Sequence, residues 1–324
     1  MSAEAQPKLA VEPFAESLNE LRKQIGETVR GKTDVIDQVL ICMLAGGHVL
    51  IEDLPGVGKT TLAYALSQAL AGSFSRVQFT SDLLPSDVIG VSVLRGADRD
   101  FEFRPGPIFA NVILADEINR ATPKTQSALL EVMDRGKVSV DGKTYDTPKP
   151  FMVFATQNPV DYEGTFPLPQ SQMDRFLMRI HMGYPEGDTE LEVLRNPQMS
   201  YDSIESKVIF SLEDIAQMQE AVNQIFVEES VLRYMLAIVQ ATRTESEFKN
   251  GVSTRGAIAL KRAVQARAML QGRNYVTPAD VLSEVRQVFV HRLMPYRQTA
   301  DALQERRHVE EVLERILESI PEPL

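Results

Sequence analysis

From His48 to Gly72 the chain passes through three kinds of sequence. HVLIED is a short run of strand formers, LPGVG is a turn rich in Gly and Pro, and TTLAYALSQALAG has apolar residues at helical spacing. A strand that feeds a helix through such a turn leaves backbone N–H groups unpaired and aimed at one spot. The helix N-terminus adds its positive end, so the turn is a cradle for an anion. The cradle spans Pro55, Gly56, Val57 and Gly58, then Lys59, Thr60 and Thr61. Lys59 is suited to reach β- and γ-phosphates, and the Thr60 hydroxyl to ligate Mg²⁺. The usual G-x-x-x-x-G-K-[ST] pattern begins with Gly, where this chain has Asp53. If Asp53 merely replaces a permissive residue, Asp53→Gly is expected to be tolerated.

The strand pattern recurs in RVQFT, NVILADE, FMVFAT and RFLMRIHM, where RFLM is expected to complete a helix and RIHM to form a strand. Helical stretches such as PKTQSALLEVMDRG lie between them. This alternation predicts an α/β fold with a parallel sheet flanked by helices. Two stretches interrupt the order. GVSVLRGADRDFEF reads as two short strands about a polar turn, and KVSVDGKTYD carries the hairpin signal Asp141-Gly142. Residues 1–13 read as a flexible arm. Helices are expected over Phe14–Gln24 and over VIDQVLICMLAG. Beyond Tyr184-Pro185-Glu186-Gly187 the patterns are helical, with a Ser211-x-x-Asp214 cap and Thr277-Pro278 opening a later helix. The expected organisation is an α/β domain over 14–185 and an all-helical domain over 186–324.

A second chemical element is Val112-Ile-Leu-Ala-Asp116-Glu117, a buried strand with two carboxylates at its C-terminal edge, where ligands bind in such sheets. Asp116 is suited to hold Mg²⁺ and Glu117 to polarise a water attacking the γ-phosphate. Composition narrows the alternatives. The 324 residues carry a net charge of −11, with acidic side chains in excess in both halves, which argues against a duplex-binding protein. The single cysteine, Cys42, excludes an intramolecular disulfide or a thiolate metal cluster, and His48, His181, His291 and His308 are too scattered for a metal site. The start has no basic-then-apolar signal pattern and no apolar run is long enough to span a bilayer, so a cytoplasmic protein is expected.

Together with VRGKTDVIDQVL, IEDLPGVGKTTLA, FRPGPIFANVILADEINRATPKTQSALLEVMDRGKVSVDG, FATQNPVDYEGTFPLPQSQMDRF and GVSTRGAIAL, these elements resemble the MoxR family of AAA+ ATPases over roughly residues 20–300. The resemblance implies an AAA+ P-loop domain followed by a helical lid, with ATP and Mg²⁺ as ligands. It implies that Asn158 is sensor 1, that Arg175 is an arginine finger for the neighbouring subunit's ATP, and that Arg255 is sensor 2 reaching the γ-phosphate. Arg179 and Arg120 compete for the finger role. Val29 and Gly31 match the segment that lines adenine. Residues 90–104 match the helix-2 insert and 137–146 the hairpin before sensor 1, both directed toward a ring's pore.

The family implies a homo-oligomeric ring, usually a hexamer, that remodels or matures protein partners, in association with von Willebrand A domain proteins. Nothing in the sequence identifies the client. Two other classes stay open at this stage. One is a nucleotide-gated binding module with little turnover. The other is a DNA motor, for which Lys137 and Lys143 in the second hairpin are the basic features to point to.

Overall fold

The computed structural model describes residues 12–95, 100–158, 164–184, 187, 190–191, 195, 206–296 and 302–323. In chain order the elements begin with α1 (Glu12–Thr28), α2 (Thr33–Leu44), β1 (Val49–Glu52), α3 (Lys59–Ala69) and β2 (Phe74–Gln78). A short α4 (Pro85–Ile89) leads into the hairpin β3 (Gly90–Arg95) and β4 (Asp100–Pro105). Then come β5 (Val112–Asp116), α5 (Pro123–Arg135), the hairpin β6 (Lys137–Val140) and β7 (Lys143–Asp146), β8 (Met152–Gln157), α6 (Gln170–Met173) and β9 (Met178–Ile180). The remainder holds α7 (Leu212–Val222), α8 (Glu229–Thr244), β10 (Phe248–Asn250), α9 (Thr254–Leu270), α10 (Pro278–Phe289), β11 (Met294–Pro295) and α11 (Ala302–Ser319). Residues 1–11 of the arm expected over 1–13, the polar turn at 96–99 and the boundary at 185–186 lie outside the described residues, and the arm's last two residues, Glu12 and Pro13, already belong to α1.

Five strands pair in parallel in the order β2-β5-β8-β1-β9. Alternate residues of each strand serve opposite faces. Leu50, Ile113, Ala115, Val153 and Ala155 pack with Leu129 and Leu130 of α5. Val49, Ile51, Val112, Leu114 and Phe154 pack with α2 and α3, in a core that continues into the helical part through Leu260, Val285 and Val312. This two-sided burial explains why the strands read as continuous apolar runs. His48 ties the layers together. Its Nδ1 accepts the Val153 N–H at 3.1 Å and its Nε2 meets the Met133 carbonyl at 3.1 Å. Burial pushes its pKa down to about 4.

Two local expectations need correction. RFLM does not complete a helix: α6 ends at Met173 and the strand starts at Met178. The Phe176 and Leu177 carbonyls accept hydrogen bonds from Arg292 and are thereby withdrawn from any helical ladder. Among the described residues the second part is mainly helical, with a short antiparallel pairing of β10 with β11 and an isolated parallel bridge between Phe226 and Tyr275 that an all-helical reading did not include. Ser211 and Asp214 form the expected capping box, and Asp280 accepts the Thr277 N–H at the start of α10.

Both expected hairpins are present as antiparallel ladders. They touch each other through Phe103 and Tyr145, whose rings stack at 4.1 Å. The root of the first is a close backbone approach. A Cβ at Gly90 would stand 2.3 Å from the Arg104 carbonyl oxygen, and one at Gly106 would stand 2.4 Å from that of Val88.

Candidate functional site

Because the sheet is parallel, β1, β5 and β8 deliver their C-terminal ends to one edge. There Asp53, Pro55, Gly56, Gly58, Lys59, Thr60, Thr61, Asp116, Glu117 and Asn158 line one cleft of about 300 Å³ together with Arg76, Gln78 and Thr156. Gly58, at the N-cap of α3, has φ 95°, a left-handed conformation that costs glycine least. Val57 points the other way, into the core. Lys59 donates to the Asp53 backbone carbonyl at 2.9 Å. Burial lowers the Lys59 pKa, and the charges of Asp53, Asp116 and Glu117 work against that shift.

The Asp53 side chain has its own partners. Its carboxylate accepts the Met182 N–H and, at 3.2 Å, the Gly183 N–H, and the His181 Nδ1 lies 3.5 Å away. Burial raises its pKa, but the hydrogen bonds from His181 and from the Met182 and Gly183 backbone outweigh this and leave it below the usual value. Asp53 is absent from the non-glycine residues of positive φ. The position therefore needs no glycine backbone, and the carboxylate fastens the start of the loop to residues 181–183. The reading of Asp53 as a mere stand-in for glycine is revised accordingly.

The carboxylate that ends β5 and the one just after it are held by separate sets of donors. Asp116 accepts from Thr156 Oγ1 at 3.1 Å and from Arg76 Nε at 2.8 Å and Nη2 at 2.7 Å. Glu117 has a left-handed backbone, φ 55°, which swings its side chain out of the strand line. Its N–H donates to Thr156 Oγ1 at 2.9 Å, and its carboxylate accepts Gln78 Nε2 and Arg120 Nη1, both at 2.9 Å. One buried hydroxyl thus connects the two acidic residues. Thr156, Arg76 and Gln78 were not anticipated from sequence. The polar alternation of Arg76 and Gln78 around buried Val77 was the available signal, and Gln78 sits directly opposite Asp116 in the ladder.

The remaining expected residues fall elsewhere. Val29 is buried in the core, and Gly31 has φ 70° in the turn before α2. Neither lines the Lys59 cleft, but the next residue, Lys32, donates to the Tyr184 carbonyl, immediately after the segment that Asp53 grips. Arg175 and Arg255 are absent from the cleft lining and converge on Asp134 at the end of α5. Arg175 Nε lies 3.0 Å from Asp134 Oδ2, and Arg255 pairs with Asp134 Oδ1. The competing arginines are committed within the chain. Arg179 is buried against Glu52 at 3.2 Å, and Arg120 is paired with Glu117.

The family described as "ATPase family associated with various cellular activities (AAA)" matches residues 48–178, and an AAA lid domain matches residues 240–316. The chain is 38% identical to the chaperone MoxR1 of Mycobacterium tuberculosis over 98% of its own length and 86% of that protein's. It is 47% identical to YeaC of Bacillus subtilis, covering 84% of this chain and 85% of YeaC. The crystal structure of a protein assigned as an ATPase from Cytophaga hutchinsonii superposes with a TM-score of 0.87 at 36% identity, covering 97% of each chain.

Proposed function

Since the chain belongs to the MoxR family of AAA+ ATPases, we propose that it binds ATP in the Lys59 cleft, hydrolyses it, and uses the cycle to remodel or mature protein partners as one subunit of a homo-oligomeric ring. The observation that carries this reading is the convergence of Lys59, Thr60, Asp116, Glu117 and Asn158 on one cleft. The backbone donors of residues 56–59 and the Lys59 ammonium bind phosphate. A Thr60 hydroxyl and an Asp116 carboxylate are hard oxygen donors of the kind Mg²⁺ takes, with Arg76 giving up its hold on Asp116. When bound, Mg²⁺ neutralises charge on the phosphate oxygens. Glu117 orients the attacking water once Gln78 and Arg120 release its carboxylate, and Asn158 steadies that water from the other side.

Arg175 acts on the nucleotide of the adjacent subunit. Of the three candidate fingers it is the one neither buried like Arg179 nor occupied at its own Glu117 like Arg120. Arg255 shares Asp134 with it and so belongs to that same face rather than to its own cleft. The first hairpin region offers exposed Leu84, Val91, Leu94 and Phe101 to an apolar segment of a client. A von Willebrand A domain protein is the partner class that the family resemblance suggests. Among the described residues no helix is long and apolar enough to cross a membrane.

The test is a pair of variants. Lys59→Ala should lose ATP binding, whereas Glu117→Gln should keep it and lose hydrolysis, because Lys59 meets phosphate in the ground state and Glu117 serves only the chemical step. Equal loss of nucleotide affinity in both would refute the division of roles. A wild-type ring that binds ATP without steady-state turnover would favour the gated-module reading, for which the Gln78 and Arg120 contacts on Glu117 are the supporting observation.

A further inference from the structure

Arg175 sits in a segment with little regular structure of its own. The preceding α6 is four residues long, too short to hold a conformation unaided. From Asp174 to Leu177 the chain runs as a turn before β9 begins at Met178. Its N–H groups are taken up locally, Arg175 by the Gln172 carbonyl and Phe176 by the Met173 carbonyl, and Leu177 by the His48 carbonyl; the side chain that holds its carbonyls and Asp174 comes from more than a hundred residues later. Arg292, in the short helical turn between α10 and β11, is 5% exposed and spreads its guanidinium over the whole segment. Its Nε donates to Asp174 Oδ1 at 2.7 Å. Its Nη2 donates to the Asp174 carbonyl at 3.3 Å and the Phe176 carbonyl at 2.6 Å, and its Nη1 donates to the Leu177 carbonyl at 3.1 Å and to the Val288 carbonyl. A guanidinium has five N–H donors in a fixed plane, and here there is an acceptor for each.

Neighbouring groups reinforce the grip. Ser253 Oγ reaches Asp174 Oδ2 at 3.3 Å, Gln170 donates to the His291 carbonyl at 2.9 Å, and His291 Nε2 lies between the Phe176 carbonyl at 3.0 Å and Arg292 Nη1 at 2.7 Å, where its tautomer decides which of the two it engages. Space for the arginine is cleared at Gly256, where a Cβ would stand 2.9 Å from Arg292 Cδ. The carbonyls on both sides of Arg175 are therefore held by one buried side chain of the helical part. The Arg175 side chain is left partly exposed, with Asp134 as its ionic partner.

We infer that Arg292, acting through Asp174 and the carbonyls of residues 174–177, is a positioning residue for Arg175, setting the direction in which this subunit offers its guanidinium to the neighbour's nucleotide. The inference rests on the reading that Arg175 acts in trans. Electrostatic stabilisation by a finger depends on placement, and a shift of about 1 Å can cost on the order of a hundredfold in rate. It follows that the lid of one subunit governs hydrolysis in the next while leaving its own nucleotide cleft intact. Lysine at 292 keeps the charge but concentrates its donors at one point, so it cannot hold Asp174, Phe176 and Leu177 together.

Complementation in mixed rings tests this and separates it from a merely structural role. Arg292→Lys and Asp174→Asn, which attack the contact from opposite sides, should each lower ring ATPase activity at least tenfold while their affinity for a fluorescent ATP analogue stays near wild type. Mixed at equal ratio with Lys59→Ala and reassembled, each should recover activity, because the Lys59→Ala chain supplies an intact finger to a variant chain that binds ATP. Random placement completes about one interface in four. Mixed with Arg175→Ala, each should recover nothing, since both chains then lack a competent finger. The reference mixture is Lys59→Ala with Arg175→Ala. If it recovers but the Arg292 and Asp174 variants fail to complement Lys59→Ala, or do complement Arg175→Ala, the positioning role is overturned. If assembled reference rings recover nothing, the trans finger itself is refuted and the inference falls with it.

Discussion

Replacing Asp53 by glycine restores the residue commonest at the head of such loops, and the structure argues that this substitution is harmful. The Asp53 carboxylate accepts the backbone N–H groups of Met182 and Gly183 beside the His181 ring, in a site 8% exposed. Hydrogen bonds to a charged acceptor contribute roughly 1.5–3 kcal/mol each, and water entering the vacated space recovers part of that. A net loss of about 2–4 kcal/mol follows, against which the added chain entropy of glycine is a minor term of roughly 0.5–1 kcal/mol. For a domain of this size the melting temperature should fall by roughly 5–15 °C. Asp53→Asn, which keeps one side-chain oxygen but no charge, should fall about half as far.

Acid supplies an independent check. The folded Asp53 pKa lies below its ordinary value, so its contribution is present above the unfolded pKa and is lost as pH falls through the folded one. The stability gap between wild type and Asp53→Asn should therefore be constant at neutral pH and close below about pH 4. Thermal melts followed by circular dichroism, with nucleotide titration at each pH, measure both quantities. An Asp53→Gly protein that melts within a degree of wild type and retains its ATPase activity would refute the reasoning.

Two further outcomes are expected. Thr156→Val removes the hydroxyl that joins Asp116 to the Glu117 N–H, and should lower kcat about ten- to a hundredfold with little change in nucleotide affinity, as single-turnover kinetics beside equilibrium binding would show. Glu284, fully buried at the junction of α10 with α2, has its pKa raised to about 7 by burial, with Arg267 and Gln38 opposing the shift. Because a raised folded pKa costs stability as pH rises from the unfolded value through 7, denaturant midpoints of wild type should fall relative to Glu284→Gln over that range, and parallel profiles would contradict the assignment.

The parts legible in sequence are those set by neighbours along the chain. Pro55 to Thr61, the apolar run ending in Asp116-Glu117, the Asp141-Gly142 hairpin and the caps at Ser211 and Thr277 all depend on spacings of a few residues, and local spacing is what a sequence exposes. The partners of Asp53 lie about 130 positions away, and those of Arg292 about 115. Nothing in DLPGVGKT or FVHRL hints at them. Arg76 and Gln78 fall between these cases: alternation along β2 puts them on one face, but only the β2–β5 pairing reveals that this face meets Asp116. Arg255 was expected at its own γ-phosphate, and its pairing with Asp134 depends on how the helical part docks against α5, which no local pattern encodes.

The crowded root of the first hairpin bears on how a protein of this kind can diversify. At Gly90 and Gly106 the backbones approach so closely that any side chain would collide with main-chain atoms. Val91, Leu94 and Phe101, a few residues outward, face solvent and touch little that a substitution could disturb. The segment therefore has two tiers of mutational freedom within about fifteen residues. Its attachment is frozen, while its outer surface can drift, lose apolar character or acquire charge without disturbing the ATP-binding core. If this hairpin is the client contact proposed above, descendants of one gene could change what they grasp long before they change how they are powered.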